Sequence, residues 1–351
     1  MGKGSVILLV IFENMKWKLV AFLMLSGIGY SYAQNREEVK AYYTAHNQIL
    51  ENFARSQDTS MYLDEMSAFI KMNGKSYVRL TYDDNFLDFC IKRNRYELAY
   101  LVVETRLKHS INAHFYLKDT AVRNSSDKKN FYSRPEILLL INNSESEYKE
   151  LMANVDLFKS MQLTSLHELD QFGRTIALIE SVDSATTFRS EIMKYTDSAN
   201  LVRMYDYIEQ YGFPKEDEVG YFIDFMIMWH TYCRPCEQIY TLPNGQWYYD
   251  YLDSVYYEAV LDGLVRNTYY AYLKDRSINQ QWVESFKNCF WKGQKYVTRS
   301  AGLISHPLYD AKNIDKHRAE IYLPPYWVDA VLNGWEIPED YPIPDNVKLK
   351  Y

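Results

Sequence analysis

From Arg36 to Arg55 the side chains Val39, Tyr42, Tyr43, His46, Ile49, Leu50 and Phe53 recur three and four residues apart. That spacing gathers them on one face of a helix. A second helix is predicted from Ser60, a fair N-cap, with Leu63, Met66, Phe69 and Ile70 inward and Gly74 as its stop. Lys75 to Tyr82 alternates weakly and predicts a short strand. Helical patterns resume from Phe86 towards Tyr116 and from Glu136 towards Gln162, on either side of the polar stretch Asp119–Lys129. In the second half, Leu201, Met204, Tyr205, Ile208 and Tyr211 form a stripe with Ser198 at the expected N-cap, and Gly212 then Pro214 close it. Glu216, Asp217 and Glu218 suit the positive end of the next helix. It runs apolar on almost every side from Val219 to Trp229, as a buried helix does. Leu252, Val255, Tyr256, Ala259 and Val260 define another, stopped by Gly263, and Asn267 or Thr268 opens one that ends near Asp275 and Arg276. No βαβ alternation, glycine-rich phosphate loop or fixed repeat interrupts the series. The expected fold is mainly α and multi-helical, either two helical domains or one large helical array with minor strands.

The first residues follow a different logic. Lys16 and Lys18 precede an apolar run from Leu19 to Tyr30, and Ser31-Tyr32-Ala33 ends it with small residues around a cleavage point. This is the layout of a secretory signal, too short for the ~20 apolar residues of a bilayer span. Translation from Met15 would account for the extra apolar run at Val6 to Phe12. The expected organisation is a leader over 1–33, an N-terminal helical domain over 34–160 and a C-terminal helical domain over 161–351. The product is then periplasmic or secreted, with no transmembrane segment once the leader is removed.

Composition narrows the function. With 47% hydrophobic and 24% charged residues in 351, the chain is an ordinary globular one. Its 13 glycines and 10 prolines are few for a turn-rich β-sandwich. A net charge of −7, which loss of Lys3, Lys16, Lys18 and Glu13 with the leader makes more negative, argues against a nucleic-acid partner. The partner classes left are a small molecule or another envelope protein.

An ordered series of motifs spans about residues 163–325. Asp170-Gln171 with Arg174, Asn200-Leu201, Tyr211-Gly212-Phe213-Pro214 and Val219-Gly220 are followed by His230, Leu273 with Asp275-Arg276, and Gly293-Gln294 with Tyr296 and Thr298. The series resembles an uncharacterised bacterial family known as domain of unknown function 6624. Trp229-His230-Thr231-Tyr232 stands where that family has Gln-His and a following acid, and Tyr296-Val297-Thr298-Arg299 where it has Tyr-Gly-Thr-Gln. The resemblance implies no known activity.

Two chemistries are open to these positions. His230 with Asp170 or Asp275 has the makings of an acid–base pair, because an imidazole titrates near neutrality. Arg174 and Arg276 could clamp an anionic group, with Gln171, Gln294 and Thr298 orienting it by hydrogen bonds. The competing structural reading has the acids capping helices and pairing with arginines, and His230 satisfied in the core. Cys233 and Cys236, separated by Arg234-Pro235 and preceded by His230, admit a redox pair, part of a zinc site, or a disulfide. Only three zinc ligands are in reach and a βαβ context is missing, so the disulfide reading leads and no metal or cofactor is expected. Cys90 and Cys289 are the other candidates for bridging. The aromatic runs Gln246–Tyr249 and Tyr322–Trp327 suit seam packing, with sugar or Pro-rich peptide stacking as the alternative.

Overall fold

The computed structural model describes residues 35–81, 84–119, 128–179, 185–220, 241–276, 296, 311–335, 337, 341–344 and 347. Among these the chain is mainly α, 79% helical with essentially no strand. The leader reading falls outside the described residues.

Helix α1 covers 35–56 and buries Val39, Tyr42, Tyr43, His46 and Ala54, with Ile49, Leu50 and Phe53 partly covered. This is the face its spacing predicts. Helix α2 (Thr59–Ser76) is capped by Asp58, whose carboxylate accepts from the Ser60 and Met61 amides. A carboxylate satisfying two orphan donors displaces Ser60 from the capping role. Gly74 does not stop this helix. A Cβ there would lie 3.2 Å from Thr105 Cγ2, so Gly74 permits close approach to the neighbouring helix. The helix instead kinks at Asn73, where the Asn73 amide donates back to Phe69 O at 3.0 Å. It then widens into a π turn over Tyr77–Thr81. The strand expected at Lys75–Tyr82 is therefore absent over its described residues. Tyr77, Val78 and Leu80 are all buried, a helical and not an alternating pattern.

Helices α3 (Asp84–Lys92), α4 (Tyr96–His109) and α5 (Ile111–Lys118) follow. The short α6 (Lys129–Tyr132) precedes α7 (Pro135–Asn143) and α8 (Glu145–Met152). These pack on α1 and α2 around one apolar cluster running from Val39 to Ile141. Asp156 caps the long α9 (Leu157–Ile179), accepting from the Phe158 and Lys159 amides. The expected boundary between residues 160 and 161 thus lies inside a helix.

Helix α10 (Ala185–Tyr211) packs along α9 and begins well before the expected cap at Ser198. Ser198 is buried within it beside Asp197 and Asn200, and Asn200 donates to Leu166 O of α9 at 3.3 Å. A position so far inside the helix leaves no capping role for Ser198. The next helix, α11 (Glu216–Val219), ends at Gly220 with φ +75°, a left-handed turn that an L side chain resists. The expected continuation to Trp229 falls outside the described residues. Helices α12 (Tyr248–Leu261) and α13 (Asn267–Arg276) match their predicted stripe and start. With α9 and α10 they enclose a second apolar cluster that includes Leu163, Leu201, Met204, Tyr256 and Tyr270.

Helices α14 (Ile314–Glu320) and α15 (Tyr326–Asn333) close the described chain. Trp327, Tyr326 and Tyr341 form a third cluster against Leu50 and Ala54 of α1. The aromatic run near the C-terminus is thus packed away, as the seam reading holds. In the other run Tyr248 is buried and Trp247 stays largely exposed.

Helix α1 therefore binds the whole array together. At its start, Arg36 pairs with Asp262 and Glu258, each at 2.5 Å, and the Asn35 amide donates to Asp262 O. The α12–α13 turn is a close contact on the same helix. Gly263 and Leu264 donate to Val260 O and Ala259 O, and Gly263 sits at φ +67°. A Cβ on Gly263 would fall 2.7 Å from Val39 and 2.9 Å from Leu80. We expect Gly263→Ala to lower stability by about 2 kcal/mol, from left-handed strain plus overpacking. Urea unfolding checks this, and an unchanged midpoint would disprove the tight junction.

Candidate functional site

Among the described residues, the two acids selected from sequence are buried. Asp170 is fully buried on the inner side of α9, accepting from its neighbour Gln171 at 2.9 Å. Its level of the helix pair also carries buried Asp197 and Asn200 of α10. Asp275, at the end of α13, is buried and accepts the Tyr296 amide at 3.1 Å. Each acid thus accepts from at least one donor. Arg174 and Arg276 lie on helices α9 and α13, but their side chains are outside the described set, as are His230, Gln294 and Thr298. Cys233, Cys236 and Cys289 also fall outside it. Cys90 is a buried free thiol in the first cluster, and burial pushes its pKa up to about 12, which keeps it protonated and unreactive.

Among the described residues, a concave surface lies at the seam of the two halves. A cleft of about 660 Å³ opens between the α2 end and π turn on one side and the α11 and α12–α13 segments on the other. That volume suits a small organic ligand, whose sites span roughly 300–1,000 Å³. Val78, Ile111, Leu151 and Leu264 supply apolar walls. Lys75, Arg79, Lys215 and Arg266 bring cations to it, and Glu216, Asp217 and Asp262 bring acids.

The partners of these charges differ. Asp262 is held by Arg36, and Glu216 accepts the Ser110 hydroxyl at 2.7 Å. Asp217 lies 3.9 Å from Lys75 at an exposed, weak contact. Arg266 is fixed, donating to Val78 O and Arg79 O at 3.2 Å each and to the Tyr269 hydroxyl. Arg79 and Lys215 make no ion pair with any described residue. Burial and the nearby cations Lys108 and Lys75 hold the His109 pKa below its ordinary value, so His109 enters the cleft as a neutral imidazole near pH 7. The cleft thus presents two cations that form no ion pair with a described residue, beside an apolar wall.

None of these residues was selected from sequence. Lys75 and Arg79 sit four apart, a spacing that places them on one helical face, but the weak alternation around them masked it. Lys215 and Arg266 lie in short connections that read only as helix punctuation. Compared with known proteins, the chain matches no family model, no curated protein and no solved structure.

Proposed function

We propose that this protein is an exported binding module of the cell envelope whose seam cleft takes a small organic anion with an apolar body. The observation that carries the reading is Arg79 and Lys215, two cations in no ion pair with a described residue, set beside Val78, Ile111, Leu151 and Leu264 in one cleft. A carboxylate or phosphate would gain charge-assisted hydrogen bonds there, and its carbon skeleton would leave water against the apolar wall. Of the acids in the cleft, Asp262 is paired with Arg36 and Asp217 faces Lys75, which leaves Glu216, held by the Ser110 hydroxyl, against the two cations.

The test is a thermal-shift screen of aliphatic and aromatic carboxylates and phosphomonoesters, followed by calorimetry on the best binder. Arg79→Gln and Lys215→Gln are each expected to weaken binding about tenfold, the worth of one charge-assisted hydrogen bond. Added salt should weaken the wild type more than the double variant. If no anion in the screen binds, or both variants bind like the wild type, the cleft reading is wrong.

A further inference from the structure

We propose that the outward face of α9 is a self-association surface through which two copies of this chain pair about a two-fold axis at Ser165. While Leu163, Leu166 and Asp170 face the interior, the opposite side of the same helix exposes Phe158, Met161, Ser165, Leu169 and Phe172. Phe158 is 62% exposed, Met161 70% and Phe172 63%. Single exposed apolar residues are ordinary, but a continuous row of them along one helix marks an interaction surface.

The row has a symmetry that selects its occupant. Its spacing of three, four, four and three residues reads the same in both directions: Phe, Met, Ser, Leu, Phe. An antiparallel second copy therefore sets Phe158 on Phe172, Met161 on Leu169 and Ser165 on itself. Such self-complementarity is what an isologous two-fold interface requires. A small residue on the axis lets the helices approach closely, and the aromatic pairs lie at the two ends. A cavity of about 390 Å³ lies beside the same helix, walled by Phe115, Met152, Val155 and Leu157.

The area is also sufficient. At on the order of 100 Å² exposed per large side chain, Phe115, Leu157 and the four apolar side chains of the row give about 600 Å² per copy. With a polar rim this approaches the ~800 Å² per partner of a stable interface. The inference is independent of the seam cleft, none of whose lining residues lies on α9.

Sedimentation equilibrium of the mature chain over a concentration series tests it. The wild type is expected to fit a dimer, and the Phe158→Glu, Phe172→Glu double variant a monomer with an unchanged circular dichroism spectrum. Ser165→Cys is expected to form a disulfide-linked dimer when an added oxidant takes up the two electrons and protons of the paired thiols. Thr175→Cys, exposed on the same helix but far from the axis, is not. A wild type that stays monomeric throughout overturns the proposal. So does a dimer that survives the double substitution and fails to cross-link at residue 165. If the double variant does not fold, the contrast between the two cysteine variants decides alone.

Discussion

Arg318→Met is expected to cost about 3–5 kcal/mol, the scale for removing one partner of a buried, hydrogen-bonded ion pair. Arg318 is fully buried, and each arm of its guanidinium is engaged. Its Nε donates to Pro324 O and its Nη1 to Tyr296 O, both at 2.6 Å, and its Nη2 pairs with the Asp329 carboxylate. One side chain therefore joins α14, α15 and the Tyr296 segment that also caps onto Asp275. Methionine approximates the volume but removes the donor that two carbonyls and a carboxylate now accept from. Lysine keeps the charge but not the fork, so Arg318→Lys should fall between the two. Urea unfolding measures both, and amide exchange should show α15 opening first. A wild-type midpoint for Arg318→Met would show that the hub does not hold the C-terminal segment.

Acid should destabilise this protein as pH falls below 6.5, through His46. That imidazole lies in the first cluster, stacked at 6.3 Å on Tyr42 and 5.6 Å from Phe69, and its Nε2 has no hydrogen-bond partner. Burial is the main cause that pushes its pKa down to about 4, from the 6.5 of a solvated histidine. The unfolded chain takes up a proton near pH 6.5 and the folded one only near 4, so stability is complete above 6.5 and is lost as pH falls between those values. The gap corresponds to about 3 kcal/mol. His114 is displaced in the same direction by its own burial and adds to the slope. His46→Leu should flatten the pH dependence of urea unfolding over this interval relative to the wild type. Parallel curves for the two proteins would remove His46 as the cause.

Much of the architecture was legible because helices write their period locally. The α1 face from Val39 to Phe53, the stripe of α12 and the start of α13 follow from spacing alone, and the structure keeps all three. Stops and caps were less legible, since each is a competition among neighbours. Asp58 outcompetes Ser60 by satisfying two amides. Gly74 serves a helix–helix contact instead of a turn, and the segment after it coils into a π turn because Tyr77, Val78 and Leu80 all have core to enter. The candidate site was the least legible. Asp170 and Asp275 turn out to be buried, which a sequence, showing side-chain identity but not depth, does not reveal.

Composition and periodicity by themselves determined a helical, acidic chain with an amphipathic α1, because each helix needs only its own residues to declare an inner face. Which inner faces meet, and which polar residues they bury, was decided in three dimensions. Arg79 and Arg266 are far apart in the chain, yet Arg266 donates to the Arg79 carbonyl and both line the same cleft. Burial of Val39 against Leu80 and the α12–α13 turn draws those segments together, and no local pattern encodes which distant partner a buried face will choose.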